Sequence, residues 1–232
     1  MGNSRIGIIG GSGIYQIDSI KNVESILPIT PFGTPSAPII TGTIADREVA
    51  FLPRHGEGHT LSPSLVPTKA NIYALKSIGV TSIISVSAVG SLRENIHPLD
   101  LVIPDQLIDN TKHRSNTFFG DGIVAHVSFA QPFCSELRRL LTIAAERVGA
   151  TVHKTGTYIV IEGPQFSTKA ESLMYRSWGA DIIGMTALPE AKLAREAEIC
   201  YATMAWVTDY DCWHQSAESV TVDMVIANLV KN

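Results

Sequence analysis

The sequence predicts an α/β fold, and three observations support this prediction. Short runs of β-branched and apolar residues alternate with segments of helical periodicity along the 232 residues. Several of these runs are almost continuously apolar, as in strands that are buried on both faces. Polar or Gly-rich residues follow many of the predicted strands, and open α/β sheets bind ligands at strand ends. No repeat or linker interrupts the pattern, so residues 1–232 are expected to form a single domain.

The predicted strands are short and rich in Ile, Val and Thr. The first one ends in the glycines of residues 10–13, and the last one ends in the sequence Thr208-Asp209-Tyr210-Asp211. A polar, irregular stretch at residues 105–121 is expected to be a long loop. The predicted strands are 5–9, 39–44, 48–52, 81–87, a short strand within 98–104, 158–161, 181–184 and 199–207.

Helical spacing of apolar residues predicts five helices. The first is closed by Gly79, and the third is opened by a capping box from Thr168 to Glu171. Pro132 and Pro189 lie in the first turns of two others, where a missing N–H costs nothing. The predicted helices are 68–79, 132–148, 168–179, one that begins at residue 189, and 219–229.

The composition excludes several classes of protein. Charged residues make up only 17% of the chain, the net charge is −4 and the estimated pI is 6.0. Nucleic acid or an anionic membrane is therefore not expected as the main partner, and the low charge favours an oligomer. Three scattered cysteines predict reduced thiols. A strand that begins by residue 6 leaves no room for a signal peptide, so a cytoplasmic location is expected.

Asp209 and Asp211 are the first candidate site residues. Their side chains point the same way on an extended chain, just past the end of a buried strand. A solvated turn is the alternative interpretation, because Asp is common in loops.

A second group of candidates could bind an anion. Ser12 lies in a Gly-rich turn after the first strand, where backbone N–H groups can approach a phosphate. The turn fits neither the dinucleotide motif nor the P-loop, and a simple tight turn remains an alternative. Arg54 and His55 lie in a loop bracketed by glycines, and Arg binds phosphate through a fork of N–H donors. His55 and His59 have a metal-ligand spacing, but that spacing needs a helix, which two glycines disfavour.

Further polar residues follow other strands. Ser87 and Ala88 come after one of them, and Met185 and Thr186 after another. The Ser, Arg, His and Thr side chains suit an oxyanion, whereas two carboxylates would repel it. The site is therefore expected to have one part for phosphate and another for a group with N–H donors or a basic nitrogen, such as an aminopurine.

Eight segments together resemble the purine nucleoside phosphorylase family, and most closely its 5′-methylthioadenosine phosphorylase branch. They are GIIGGSGIY, FLPRHGEGH, SVSAVGSLRE, VIPDQLID, AHVSFAQPFC, IEGPQFST, IIGMTALPEA and VTDYDCW. The resemblance implies a three-layer α/β/α sandwich around a mixed, partly barrel-like sheet. It also implies phosphorolysis, in which inorganic phosphate displaces the purine from C1 of the ribose.

The resemblance assigns a role to each candidate residue. Asp209 would hold or protonate N7 of the leaving purine, and Asp211 would accept a hydrogen bond from the 6-amino group. His126 would be contributed by a neighbouring subunit to the 5′ pocket. The residues implied to bind phosphate are Ser12, Arg54, His55, Ser87, Ala88 and Thr186. Those implied to contact the nucleoside are Met185 at the ribose, Phe166 stacked on the base, Val222 and Val225 at the methylthio group, and Ser167.

The resemblance also implies no metal or organic cofactor, phosphate as co-substrate, and a homotrimer or homohexamer. The chain departs from the branch at Pro67-Thr68-Lys69 and at Gln165, and it ends before the usual C-terminal helical segment. Phosphorolysis of 5′-methylthioadenosine is the leading hypothesis, with adenosine as an additional candidate substrate. The alternatives are a phosphorylase for 6-oxopurine nucleosides or methylthioinosine, a hydrolytic nucleosidase, and a catalytically inactive nucleoside-binding protein.

Overall fold

The computed structural model describes residues 5–11, 20–120 and 122–214. The chain divides into two compact units. Unit 1 comprises Met1–Val86, His113–Ala130 and Leu188–Tyr201, and unit 2 comprises Ser87–Lys112, Gln131–Ala187 and Ala202–Asn232. The expectation of a single domain stays a prediction. The expected helix at 219–229 lies outside the described residues.

Groups of one to four strands alternate with single α-helices along the chain. The strands are β1 (Arg5–Gly10), β2 (Lys21–Ile26), β3 (Ile39–Ile44), β4 (Arg47–Pro53), β5 (Val80–Ser91), β6 (Leu101–Val102), β7 (Gln106–Asn110), β8 (Val152–His153), β9 (Thr157–Ile161), β10 (Ile182–Gly184) and β11 (Cys200–Asp209). The helices are α1 (Thr68–Ser77), α2 (Ser135–Arg147), α3 (Lys169–Ser177) and α4 (Ala187–Glu196), with a 3₁₀ turn at Pro63–Leu65.

Unit 1 contains a mixed sheet in the order β2–β3–β4–β1–β5. β1 is parallel to β4 and β5, whereas β3 is antiparallel to β2 and β4. Because parallel strands are buried on both faces, β1 and β4 carry apolar residues on consecutive positions. Ile9, Leu52 and Ile83 are fully buried in this unit.

Unit 2 also pairs its strands in both directions. β9 is parallel to β7 and β10, and β10 is antiparallel to the second part of β5. β6 is parallel to β8 and antiparallel to β11. One core cluster of this unit comprises Leu92, Ile159, Ile161, Tyr175, Ala180, Ile183 and Trp213.

Most predicted elements are present, and their end signals act as expected. The capping box is formed, with the Glu171 backbone N–H donating to the Thr168 hydroxyl and the Thr168 N–H donating to the Glu171 carboxylate. Gly79 adopts a positive φ of 85° after α1. Leu188 is extended, so the helical conformation of α4 begins at Pro189, as predicted.

Four predictions about elements and thiols are wrong. β5 does not break at residue 87 but continues to Ser91, because small residues allow an extended chain to pack closely. The expected loop at 105–121 contains β7, and the polar strand β2 and the short strand β8 were not predicted. α2 begins three residues later than expected. Cys134 and Cys200 are disulfide-bonded rather than reduced, and Cys212 is free.

Among the described residues, no helix is long and apolar enough to span a membrane.

Candidate active site

In unit 2, strand β11 ends in a turn that carries two buried carboxylates; we refer to residues 208–213 as the carboxylate turn. Asp209 is 7% exposed and Asp211 is 4% exposed. The Thr208 hydroxyl donates to Asp209 Oδ2 at 2.8 Å, and the backbone N–H of Asp211 donates to Asp209 Oδ1 at 2.8 Å. The turn is therefore not the solvated loop that the alternative interpretation of the sequence required.

Both carboxyl groups have raised pKa values. Burial raises the pKa of Asp209 above its ordinary value, although the hydrogen bonds from Thr208 and the Asp211 N–H oppose the shift. Burial also raises the pKa of Asp211, and the charge of Asp209 adds to this effect. The two groups therefore favour the protonated form more strongly than an exposed Asp does. A buried acid of this kind can donate a proton to a leaving group.

The carboxylate turn depends on a glycine in the neighbouring part of β5. A Cβ atom on Gly90 would lie 2.9 Å from Asp209 Oδ1 and 3.3 Å from Asp211 Cβ. Distances this short require something to move, so the missing side chain allows both residues to occupy their positions. Asp211 itself has a φ of 51°, a left-handed conformation that Asp tolerates better than most residues.

Trp213 anchors the carboxylate turn. Its indole Nε1–H donates to the Ser91 carbonyl at 2.8 Å, and the Arg176 guanidinium lies 3.5 Å from the centre of the indole ring. The Cys212 thiol donates to the Ser167 carbonyl at 3.2 Å. These contacts attach the turn to β5, α3 and the segment that follows β9.

The other unit 2 candidates lie on β5 and on the segments after β9 and β10. The hydroxyl groups of Ser87 and Thr186 are 2.9 Å apart and hydrogen-bonded, so the structure brings these two together. Ala88 is the next residue of β5 and is half-buried. A Cβ atom on Gly163 would lie 2.5 Å from Met185 Sδ, which shows how closely the backbone approaches this side chain.

Two candidates of the segment 166–167 differ in exposure. Phe166 is 46% exposed, so its ring has a face available for stacking on a planar ligand. The Ser167 hydroxyl oxygen is buried and has no hydrogen-bond partner among the described residues. Buried polar groups are normally satisfied, so an unsatisfied hydroxyl beside an exposed aromatic ring fits a ligand-binding segment.

In unit 1, Arg54 directly follows β4 and is 2% exposed. Its Nε donates to Glu190 Oε1 at 2.5 Å, and its Nη2 donates to Ser85 Oγ at 2.7 Å and to Glu190 Oε2 at 3.3 Å. The hydroxyl groups of Ser85 and Tyr201 also donate to Glu190 Oε2, at 3.1 and 2.9 Å. We call Arg54, Ser85, Glu190 and Tyr201 the Arg54 cluster.

His55 is buried beside this cluster in a glycine-rich turn. Its Nδ1 lies 2.9 Å from the Leu61 carbonyl, which accepts the Nδ1 proton, and its ring stacks on His59 with centroids 4.4 Å apart. Burial, and next the charge of Arg54, lowers the pKa of His55 from 6.5 to about 4. The imidazole is therefore neutral at pH 7. Among the described residues, no group of three or more metal-ligand side chains is present.

His126 lies in a different part of unit 1. It is exposed and lines a cavity of about 350 Å³ together with Phe119, Val124, Lys192 and Glu196. Ile123 and Val124 in the same loop are 68% and 74% exposed. An exposed apolar loop of this kind is typical of a surface that contacts another protein molecule.

Three of the predicted site residues lie outside the described residues. They are Ser12, Val222 and Val225. Sequence reasoning missed Glu190 and Gly90. Glu190 lies in the first turn of α4, where an acidic residue is common for helix-dipole reasons, and no sequence signal connects it with Arg54, 136 positions away.

The chain matches known proteins over nearly its whole length. The sequence model described as the phosphorylase superfamily matches residues 5–232. S-methyl-5′-thioadenosine phosphorylase of Koribacter versatilis is 57% identical over 99% of this chain and 78% of its own length. The protein of the same name from Synechocystis sp. is 58% identical over 100% of this chain and 72% of its own length.

Solved structures agree with the sequence matches. A methylthioadenosine phosphorylase from an antarctic soil metagenomic library has a TM-score of 0.94 at 57% identity, and the match covers 99% of this chain and 81% of that one. Methylthioadenosine phosphorylase from Schistosoma mansoni in complex with adenine also has a TM-score of 0.94, at 40% identity over 98% and 86% of the two chains. The predicted nucleoside phosphorylase-like α/β fold with a mixed sheet is thereby confirmed. Its division into three layers stays a prediction.

Proposed function

Because the chain belongs to the phosphorylase superfamily, we propose that it cleaves 5′-methylthioadenosine with inorganic phosphate. The products are adenine and 5-methylthioribose 1-phosphate, and the reaction makes the protein a pentosyltransferase of purine salvage. One observation carries the proposal: the carboxylate turn holds two buried carboxyl groups with raised pKa values. Relatives at 57–58% identity that are named S-methyl-5′-thioadenosine phosphorylase support it.

The reaction transfers the methylthioribosyl group from nitrogen to oxygen. The bond from C1′ to purine N9 breaks and its electron pair moves into the purine, while a phosphate oxygen forms a new bond to C1′. Asp209 gives its proton to N7, so that adenine leaves as a neutral molecule. Asp211 accepts a hydrogen bond from the 6-amino group and orients the base. The positive charge that develops on the ribose is stabilised by the phosphate anion.

The phosphate-binding roles follow those that the family resemblance implies. Ser87 and Thr186 contribute hydroxyl groups, and their mutual hydrogen bond orients them. Arg54 contributes positive charge and His55 an imidazole, while Ser12 and the backbone N–H of Ala88 complete the set. Met185 packs on the ribose, Phe166 and Ser167 contact the base, and Val222 and Val225 line the methylthio pocket.

The remaining properties are proposed on the same basis. His126 is contributed to the 5′ pocket of a neighbouring subunit in a homotrimer or homohexamer, and its exposed apolar loop supports a subunit contact. Phosphate is the only co-substrate, and no metal or organic cofactor takes part. A cytoplasmic location and a single domain are proposed as well.

The direct test is release of adenine from 5′-methylthioadenosine by the purified chain, measured with and without inorganic phosphate. We expect release that requires phosphate and a sugar product that carries phosphate on C1. Release without phosphate would instead identify a hydrolase, and binding without any release would identify an inactive nucleoside-binding protein. Methylthioinosine serves as the matched substrate: the carboxylate of Asp211 favours a 6-amino donor, so faster cleavage of methylthioinosine would contradict the assigned role.

A further inference from the structure

Glu190 is a buried acid to which family resemblance and sequence motifs assigned no role. It is 2% exposed, and four hydrogen bonds from three side chains end on its two oxygens. Arg54 occupies both oxygens, while Ser85 and Tyr201 donate to Oε2 alone. The carboxylate is thus fixed by residues of β5 and β11, and it fixes the guanidinium in turn.

Stability alone does not explain such an arrangement. A buried ion pair loses so much hydration that apolar residues of equal volume often stabilise a fold as well or better. The Arg54 cluster adds two hydroxyl groups whose hydrogen bonds leave the Glu190 carboxylate a single orientation. Geometry of this precision is characteristic of groups that must be held in place for binding or catalysis.

The geometry therefore points to Glu190 as a positioning residue for phosphate binding, an inference that rests on the proposed function. Glu190 holds the Arg54 guanidinium in one orientation before phosphate binds, so that little freedom is lost on binding. Before phosphate binds, the Glu190 carboxylate also compensates the positive charge of the buried Arg54. The carbonyls of Val86 and Ile9, which accept from Arg54 Nη1 at 3.0 Å and from Nη2 at 3.4 Å, support the same orientation.

Two effects of Glu190 on phosphate oppose each other. Its negative charge weakens the attraction between the site and an anion, whereas its hydrogen bonds hold the cation in position. Positioning is the larger effect, because bidentate charge-assisted hydrogen bonds are about twice as strong as neutral ones. A substitution that removes the charge of Glu190 and keeps the shape of its side chain shows which of the two effects is larger.

Glu190→Gln makes this separation. The amide oxygen can still accept from Arg54 Nε and the two hydroxyl groups can rotate to accept from the amide, but the amide nitrogen cannot accept from Arg54 Nη2, so the bidentate hydrogen bonding of the guanidinium is lost together with the charge. We expect the KM for phosphate to rise roughly tenfold or more, while the KM for 5′-methylthioadenosine changes less than about twofold. An unchanged or lower KM for phosphate would overturn the inference, since it would show that Glu190 acts only as an opposing charge or as a structural group.

Tyr201→Phe covers the case in which Glu190→Gln fails to fold. It removes one hydroxyl group from Glu190 Oε2 and leaves the ring in place. We expect a smaller rise in the KM for phosphate, about two- to fivefold. A lower melting temperature with unchanged KM values would overturn the inference for this variant too.

Asp181→Asn is the matched control in unit 2. Asp181 accepts from Arg93 Nε at 2.7 Å, so the variant also removes one charge of an ion pair. Asp181→Asn should leave the KM for phosphate unchanged. If it raised this KM as much as Glu190→Gln does, the effect of Glu190→Gln would be nonspecific and the inference would be overturned. The two proposals also fail differently: no phosphate-dependent release by the wild type contradicts the proposed function, whereas normal wild-type activity with an unchanged KM in Glu190→Gln contradicts only the positioning role.

Discussion

The Arg54 cluster and the carboxylate turn are both buried and charged, but they treat their charges in opposite ways. In the Arg54 cluster, a cation and an anion are 2.5 Å apart, the Ser85 hydroxyl bridges them, and the Tyr201 hydroxyl donates to the anion. In the carboxylate turn, two acidic groups lie two residues apart, and hydrogen bonds from Thr208 and from the Asp211 backbone reach Asp209. The described contacts of Asp209 and Asp211 include no ion pair with a cationic side chain.

The difference indicates that the Arg54 cluster holds charged groups in position, whereas the carboxylate turn can change its protonation. An ion pair whose partners are joined by several charge-assisted hydrogen bonds has a fixed geometry, which suits a group that must be held in one orientation. Carboxyl groups that are buried without compensation have raised pKa values, so a proton is available at a pH where an exposed Asp has lost its own. Three predictions test this comparison, and the largest expected effect comes first.

Loss of the acid should have the largest effect. Asp209→Asn removes the proton donor and retains nearly the same shape, so we expect kcat to fall about 10²–10⁴-fold. The measurement is adenine release at saturating phosphate and 5′-methylthioadenosine. The wild type should also lose activity as pH rises through the raised pKa of Asp209, and the variant should lack this basic limb.

Asp105→Asn is the control for this substitution. Asp105 accepts from the Gly156 N–H at 2.9 Å in the same unit, and we assign it no part in the reaction. Its activity should remain close to that of the wild type. A fall in kcat of less than about tenfold for Asp209→Asn would contradict the assigned role of proton donor.

Displacement of the carboxylates should have the next largest effect. Gly90→Ala places a methyl group 2.9 Å from Asp209 Oδ1 and therefore moves the acid, with an expected loss of about 100-fold in kcat/KM. The melting temperature should fall as well, because the position has no space. Gly120→Ala is the matched control, since no described atom lies within 4 Å of the added methyl group. Equal activities of the two variants would show that Gly90 does not position the acid.

The smallest expected effect is on the free energy of unfolding, and it comes from His55 in unit 1. His55 has a folded-state pKa of about 4, below its ordinary value of 6.5, so the unfolded chain binds more protons between these values. The free energy of unfolding should therefore fall as pH decreases from 6.5 to 4, by on the order of 2 kcal/mol from this residue. Denaturant titrations of the wild type and of His55→Asn measure the difference, with the exposed His113→Asn as control. A pH dependence that is equal in all three proteins would contradict the burial of a neutral His55.

The sequence predicted the parts of this molecule that depend on local patterns. The strand ends next to Thr186, Asp209 and Asp211 were found because apolar runs stop there and polar residues begin. The capping box at Thr168 was found because its two hydrogen bonds are made within one helical turn. Such signals depend on neighbours along the chain.

The parts that were missed depend on distant residues. Glu190 pairs with Arg54 across 136 positions, and Gly90 matters only because Asp209 packs against it. β2 was missed because its residues are mostly exposed and polar, so only its pairing with β3 makes it a strand. The two disulfide-bonded cysteines gave no spacing signal, because an odd number of scattered cysteines predicts free thiols.

The most direct test of the central claim asks whether Asp209 acts on purine N7. It compares 5′-methylthioadenosine with its 7-deaza analogue, in which carbon replaces N7, in the wild type and in Asp209→Asn. If Asp209 protonates N7, the wild type should have a much lower kcat/KM for the analogue than for 5′-methylthioadenosine. Asp209→Asn has already lost this proton transfer, so its kcat/KM should differ little between the two substrates. If the two losses simply multiply, Asp209 and N7 act independently, and the carboxylate turn is not the proton donor of this reaction.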